Sequence, residues 1–585
     1  MSAVREQLFV LSVGIGAHLR RSVFRCAPCP GKRASAGQRR ITQNRVTGMD
    51  LEQYETVYPP RQLPSGAEVT RVAPSPTGRP HIGTALQALI DRALADQSGG
   101  LFLLRIEDTD RKRLDPRAIE EILEALEWLG LSPDEGPHVG GDYGPYLQSE
   151  RLPLYQAAAR WLVERGYAYH CFCSAERLEA LRQAQQAAGQ TSVYDRHCRG
   201  LSPAEVARRL AAGEPSVIRL KVPDGERIVF HDPLRGEIAF DSAQVDDQVL
   251  LKSDGFPTYH LAVVVDDHFM RVTTAVRGEE WISSTPKHLL LYRYFGWTPP
   301  RIVHTVLLRD ASHRKLSKRS GDTSIAWYRL QGYLSQGFRN FLSRIIWAHP
   351  EDRDVYSYDE FVRLFRVEDL SKAGPVADHD LLDFINSQYM RQLSPSELYR
   401  ATCTWLDEVL HEEDAVAFEE ARKSGRELRT YTREEIARFA AAFRQDPEFT
   451  CRVLTVEPER FKKLSDIPMQ YSFFFPALFQ PPTADMLAKP AGGIGQAMSL
   501  LRAYLDVYDP ADGHEAWEAK VRAMADAAGV KAKGLFMAIR VATTGSEQTP
   551  PLYDILNVLG GEEVRRRLRL ALEALAAAQT PATSA

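Results

Sequence analysis

The spacing of apolar residues divides the chain into two halves of different character. Short apolar runs of strand length, Glu68–Val72 and Leu101–Ile106, flank a segment from Thr84 to Ala95 that reads as helix. Strand, helix and strand in that order predict a β-α-β unit and so a parallel sheet, since a helical crossover returns the chain in the same direction. Further strands of that sheet are predicted at Tyr259–Val265 and Arg271–Val276. An insertion from about Leu152 to Gly255 interrupts the sheet and carries its own strand at Val217–Val222. Beyond about Asp322 the spacing becomes helical and stays so, with breaks near Gly374-Pro375, Pro481-Pro482 and Pro550-Pro551. No internal repeat is visible. The pattern describes an α/β half followed by a helical half.

Length and composition narrow the class. A chain of 585 residues exceeds one core and divides into about three to five domains. Its 44% hydrophobic and 26% charged residues are those of an ordinary globular protein, and no apolar run reaches the length of a membrane span. The net charge of −4 offers no general attraction for nucleic acid, so any RNA contact must use local basic faces. Seven cysteines in so long a chain are no disulfide framework. The first 48 residues hold nine Lys/Arg against one acid, Glu6, as a mitochondrial transit peptide would. A disordered or artefactual leader, with Met49 as the true start, is the favoured alternative. Cys26-x-x-Cys29 lies in this leader without a second ligand pair.

Two motifs suggest the chemistry. In Pro74-Ser75-Pro76-Thr77-Gly78-Arg79-Pro80-His81-Ile82-Gly83, rigid prolines, small hydroxyls and glycines precede the first helix. Such a turn lets backbone N–H groups and a helix N-terminus approach a phosphate. More than two hundred residues later, Lys315-Leu316-Ser317-Lys318-Arg319 sets two lysines on a polar stretch, suited to follow moving phosphate charge. Together they point to a nucleotide-activating enzyme.

With further blocks, the chain resembles the bacterial and organellar glutamyl-tRNA synthetases, class I enzymes, from about Glu68 to Leu575. These blocks are Arg71-Val72-Ala73 before the turn, Arg105-Ile106-Glu107-Asp108-Thr109-Asp110, Leu251-Lys252-Ser253-Asp254-Gly255, Pro257-Thr258-Tyr259-His260-Leu261-Ala262, Arg277-Gly278-Glu279-Glu280-Trp281 and Thr544-Gly545-Ser546. Thr84 stands where the superfamily often has a second histidine, and Thr is usual in this subgroup. Val263 replaces an Asn found in some relatives.

The resemblance implies an α/β Rossmann-type catalytic domain with an α+β acceptor-binding insertion, followed by an all-helical anticodon-binding region. It divides the chain into a disordered leader (1–66), the catalytic domain (67–151 and 256–322), the acceptor-stem insertion (152–255) and a stem-contact domain (323–390). Two helical anticodon-binding domains (391–480 and 481–575) and a disordered tail (576–585) complete it. It places Arg71, Ala73, Ser75, Glu107, Tyr259 and Arg277 around glutamate, with Arg71 and Tyr259 on the side-chain carboxylate and Arg277 on the α-carboxylate. It places Thr77, His81, Gly83, Glu280, Leu308 and Lys315 to Arg319 (with Leu316, Ser317 and Lys318) around ATP, His81, Lys315 and Lys318 being catalytic. Its reaction is ATP-dependent formation of glutamyl-adenylate, then transfer to the terminal adenosine of tRNA(Glu), with Mg²⁺ and generally with tRNA bound first.

Each residue taken alone has a plainer reading. Arg71 with Glu107 makes a structural ion pair, Tyr259 is a half-buried aromatic, and His81 caps the helix that follows it. Arg460 is expected at the third anticodon base, though basic residues such as Lys462, Lys463, Lys531, Lys533 and Arg540 could be a solvated face. The run Arg565-Arg566-Arg567 serves solubility equally well. Cys171, Cys173 and Cys198 match three zinc ligands of some relatives, but Gly200 stands at the fourth. His197 or His170 could substitute, and a remnant of a lost site is the preferred reading. The expected protein is a monomer off the membrane, cytoplasmic, or in the mitochondrial matrix if the leader is genuine. The nearest rival, a glutaminyl-tRNA synthetase, would carry a β-barrel C-terminal half. A small-molecule nucleotidyltransferase or a non-catalytic RNA-binding module leaves large parts of the chain without a role.

Overall fold

In the computed structural model, which describes residues 48–190, 192–309, 312, 324–411 and 432–579, the predicted β-α-β unit is formed. β1 (Val69–Val72) and β2 (Leu101–Leu104) pair in parallel, Val69 opposite Leu101. The crossover helix α1 (Ile82–Ser98) buries Leu86, Leu89, Ile90 and Ala93. Two glycines set its end. Gly99 closes the helix with a left-handed φ of 66°, and a Cβ on Gly100 would fall 1.9 Å from the Glu68 carbonyl oxygen.

The insertion holds an antiparallel sheet of β3 (Ala168–Cys171), β4 (Val217–Leu220) and β7 (Val249–Leu251), and a hairpin of β5 (Arg227–Asp232) and β6 (Gly236–Asp241). The hairpin turn reaches back to the parallel-strand core, where Leu234 packs in one apolar cluster with Val276, Val303 and Leu308.

Past the insertion the structure departs from the sequence reading. Tyr259–Val265 is not a strand but the start of helix α2 (Tyr259–Phe269), buried from Leu261 through Asp267. A continuous apolar run looks the same in a buried helix and a buried strand, and three adjacent valines favour the wrong choice locally. Tertiary packing decides, with Leu261, Val264, Val265 and Phe269 sharing a core with Leu154, Leu162 and Leu291. The strand expected at Arg271–Val276 starts later, as β8 (Thr274–Gly278), because Arg271 takes a left-handed φ of 58° in the turn leaving α2. Its parallel partner β9 (Arg301–Thr305) had no place in the sequence reading. β1 lies alongside β8, joined by Thr273 N–H to the Val69 carbonyl (2.9 Å), so the pairs run in the order β2, β1, β8, β9.

Residues 49–66, assigned to the disordered leader, also require correction. Leu51–Gln53 and Tyr54–Val57 form helical turns, with Tyr54 and Tyr58 buried and packed against Phe269. Burying each such ring contributes on the order of 2 kcal/mol, enough to hold a short segment in place.

From Ile325 to Gln579 the described residues form helices and no strand, broken at the three expected proline sites. Leu406, Phe443, Tyr471, Leu501, Ile539 and Leu568 belong to one apolar core there. Among the described residues no helix is long and apolar enough to cross a membrane.

Candidate active site

All four parallel strands end at one edge, where open α/β sheets bind ligands. After β1 the chain enters the Pro-Gly turn, which backbone bonds clasp from both sides. Glu107 N–H donates to the Pro74 carbonyl (3.1 Å) and Asp115 N–H to that of Pro76 (2.9 Å). Gly78 has φ 132°, a conformation that residues with side chains rarely adopt. Ala73 and Thr77 are half-buried and Ser75 is exposed. His81 caps α1 as the plainer reading expects, its Nδ1 accepting the Gly83 N–H at 2.9 Å. That bond leaves the proton of the neutral ring on Nε2.

Lys315, Leu316, Ser317, Lys318 and Arg319 lie outside the described residues. Leu308, buried just beyond β9, and Ser324 flank them. Ser324 bridges to His81, and Ile325 N–H donates to the Pro80 carbonyl (3.1 Å), so the chain re-enters beside the turn. Glu280 is exposed and its carboxylate lies against Gly278.

The basic residues of the site are held in two contrasting ways. Arg71 is already neutralised: Nε and Nη2 donate to the two oxygens of Asp267 (3.1 and 3.2 Å), and Nη1 to the Val276 carbonyl. Asp267 also accepts from Arg105 at 2.6 Å, and neighbouring Asp266 pairs with Arg151 at 2.7 Å. Burial alone would raise the Asp267 carboxyl, but Arg71 and Arg105 outweigh it and hold it below the usual range. The sequence reading assigned no role to Asp266 and Asp267. The available signal was a pair of acids ending an apolar run, a costly placement without partners. Asp267→Asn leaves the buried Arg71 guanidinium without its carboxylate while Arg105 keeps Asp266 and Glu107, and urea unfolding should show a loss of about 3–5 kcal/mol.

Arg277 is the opposite case. Its guanidinium is buried, yet among the described residues no carboxylate forms an ion pair with it. Its N–H groups go to neutral partners: Nε to His304 Nε2 (3.0 Å), Nη1 to His288 Nδ1 (3.0 Å) and Nη2 to Thr285 Oγ1 (2.7 Å). Tyr259, packed at a tilt of 37° against Trp281 with 4.4 Å between ring centroids, stands within electrostatic reach of Arg277, Glu107 and Arg71. Glu107, 3.3 Å from Arg105, is pushed up to about 7 because burial outweighs the attraction of Arg105 and Arg71. The structure thus brings Arg71, Glu107, Tyr259 and Arg277 together beside the turn.

Elsewhere, Arg460 lines a cleft of about 570 Å³ with Gln470, Phe473 and the block Thr544, Gly545 and Ser546. The basic run is not a uniform solvated face. Arg567 is fully buried and bonds to Glu563 and to the Thr543 carbonyl, so it holds helices together. Arg540 donates to the Pro550 carbonyl at 2.6 Å.

The ligand atoms of Cys171, Cys173 and Cys198 all lie within 4.8 Å of one another. Neither His170 nor His197 places a ring nitrogen in this cluster. The Tyr194 hydroxyl lies 3.3 Å from Cys171 Sγ and 3.4 Å from Cys173 Sγ. Three sulfurs with one oxygen beside them fit a tetrahedral zinc ion in donor number, a phenol being the weakest member.

Residues 68–384 match the family described as class I tRNA synthetases (E and Q), catalytic domain, and residues 417–572 match an anticodon binding domain. The chain belongs to the class I tRNA synthetases of the glutamate and glutamine type. Within that family it is similar to the glutamate–tRNA ligase of Gloeobacter violaceus, 62% identical over 523 residues that cover 89% of this chain and 99% of the other. It is 41% identical to a glutamate–tRNA ligase of Thermus thermophilus, over 86% of this chain and 99% of the other. The solved glutamate–tRNA ligase of Elizabethkingia meningosepticum, in complex with its amino acid, superposes with a TM-score of 0.73 at 31% identity, covering 87% of this chain and 100% of that one.

Proposed function

We propose that this protein attaches L-glutamate to tRNA(Glu) in two steps, through glutamyl-adenylate. The observation that supports it most is a buried Arg277 without an acidic partner among the described residues, set beside Glu107 and Tyr259 at the mouth of the Pro-Gly turn. Glutamate carries two carboxylates and an ammonium, and a pocket with two guanidiniums and a carboxylate matches that charge pattern. Arg277 receives the α-carboxylate, Glu107 with Ser75 the ammonium, and Arg71 with Tyr259 the side-chain carboxylate. Because Asp267 already holds Arg71, the side-chain carboxylate shares that guanidinium rather than neutralising it alone. Ala73, half-buried after β1, is assigned to the same pocket.

In the first step Arg277 fixes the α-carboxylate, with Glu107 holding the neighbouring ammonium, for attack on the α-phosphate of ATP. The turn from Thr77 to Gly83, with His81 as a donor through Nε2, receives the triphosphate. Lys315 and Lys318 neutralise the charge that builds up as pyrophosphate leaves. Leu308, Leu316, Ser317, Arg319 and Glu280 complete the nucleotide site. Mg²⁺, bound with the nucleotide, would supply further neutralisation at the phosphates. In the second step a hydroxyl of the terminal adenosine of tRNA attacks the adenylate and AMP leaves. Arg460 and the Thr544–Ser546 cleft are assigned to anticodon contact. The protein is proposed to act as a cytoplasmic monomer. Glutamate-dependent ATP–pyrophosphate exchange that requires tRNA(Glu) tests the whole reading. Exchange supported equally by glutamine, or no exchange with any tRNA, contradicts it.

Glu107 adds a pH dependence. Its carboxyl is uncharged below about 7 and charged above, so the ammonium gains its counter-ion as pH rises. Glutamate KM should fall between pH 6 and 8, and Glu107→Gln should flatten that profile. The same group lowers stability as pH rises from its unfolded value towards 7, because the native state holds the proton longer.

We also assign zinc to the three thiols with Tyr194, in place of the lost-site reading. Metal analysis should find one zinc per chain that Cys198→Ser releases. A metal-free protein would restore the lost-site reading.

A further inference from the structure

Arg277 sits at the centre of a chain of side chains whose tautomers the geometry dictates. Its Nε–H donates to His304 Nε2, so that nitrogen carries no proton, and the ring's proton is on Nδ1, facing Asp232 Oδ2 at 2.7 Å. His288 accepts from Arg277 through Nδ1, so its Nε2–H donates to His260 Nδ1 at 3.1 Å. Asp232 and His304 are both fully buried. Asp232 has no spare capacity. Oδ1 accepts the Leu234 and Arg235 N–H groups, and Oδ2 accepts both the backbone N–H and the ring N–H of His304. It belongs to the β5–β6 hairpin of the insertion, 72 residues away in sequence.

We propose that Asp232, His304, His288 and His260 are positioning residues that hold Arg277 charged, oriented and free of a counter-ion for the amino-acid carboxylate. A guanidinium has five N–H groups; His304, His288 and Thr285 take three, and the neutral Tyr259 hydroxyl lies within hydrogen-bonding reach of the remainder, where the carboxylate would join or displace it. Neutral imidazoles solvate the cation without cancelling it, which an Asp or Glu would do. Burying a charge on these terms costs stability, and an incoming carboxylate recovers that cost as binding. Asp232 acts through His304 by fixing its tautomer. A flipped ring would set N–H against N–H and turn Arg277 away, as tautomer loss does in other His–Asp pairs. Through Asp232 the insertion hairpin shares in shaping the glutamate pocket.

This inference rests on the proposed role of Arg277, and the test separates the two. Glutamine at position 304 can place Oε1 where Nε2 accepts from Arg277, whereas asparagine can place Nδ2 only where Nδ1–H meets Asp232. In tRNA-dependent pyrophosphate exchange, H304N should raise glutamate KM by about tenfold, the loss of one hydrogen bond to a charged group. H304Q should stay within about threefold by the same measure, and ATP KM should not move for either. Asp232→Asn, which keeps the volume should H304N not fold, should raise glutamate KM like H304N. Equal effects of H304N and H304Q, or an Asp232→Asn enzyme with unchanged glutamate KM, overturn the inference. Arg277→Gln, measured alongside, tests the underlying role. If that variant keeps its glutamate KM, the pocket assignment itself falls, whatever His304 does.

Discussion

Arg277→Gln should reduce kcat/KM for glutamate by about two to three orders of magnitude. The guanidinium makes two N–H bonds to one carboxylate, and hydrogen bonds to charged groups are worth about 1.5–3 kcal/mol each. Among the described residues Arg277 has no acidic partner to be left stranded in its absence, so the substituted protein should fold. Most of the change should sit in glutamate KM, with ATP KM within about threefold, since the pairing forms in the ground state and persists in the transition state. Steady-state pyrophosphate exchange at varied glutamate with tRNA present makes the measurement. An unchanged glutamate KM would place the carboxylate elsewhere.

Lys318→Ala should give the opposite split. The motif from Lys315 to Arg319 is the second source of positive charge proposed for the nucleotide, after the Pro-Gly turn. Its contribution is expected where the pentavalent phosphate gathers charge rather than where ATP first binds. We expect kcat for exchange to fall by about two to three orders of magnitude, the scale for removing one donor to a developing charge, with ATP KM nearly unchanged. Parallel losses in kcat and ATP affinity would assign Lys318 to ordinary nucleotide binding.

These expectations draw on different sources, which shows what was legible from residue order. The turn from Pro74 to Gly83 could be read as a strand-to-helix loop because proline and glycine have few conformational options, and it is one. The parallel pairing of β1 and β2 followed from the helix between them. The helical second half followed from spacing and proline breaks. The Tyr259–Val265 segment was misread because periodicity carries no information once a run is buried on every face. The pocket was legible only in part. That Arg71, Glu107, Tyr259 and Arg277 matter could be said from the motifs, but which cation is neutralised could not. Asp267 reaches Arg71 across 196 positions, and Asp232 reaches His304 across 72, so both depend on how α2 and the hairpin pack. The three-thiol cluster was visible as spacing, whereas Tyr194 entered only when the chain around it was folded.

Two kinds of basic residue emerge from this packing. Arg71, Arg105 and Arg151 are tied to Asp266 and Asp267 and make the floor of the site rigid. Among the described residues Arg277 is tied to neutral groups and stays electrostatically open. A pocket of this kind is pre-organised: most of its polar contacts exist before the amino acid arrives, and what the ligand supplies is charge.

The most direct measurement is a crystal structure of the protein with a non-hydrolysable glutamyl-adenylate analogue. The amino-acid carbonyl end should lie between Arg277 and Glu107, the side-chain carboxylate by Arg71 and Tyr259, and the phosphate mimic against the turn from Thr77 to Gly83. An analogue seated away from that turn, or one whose amino-acid moiety leaves Arg277 untouched, would contradict the account.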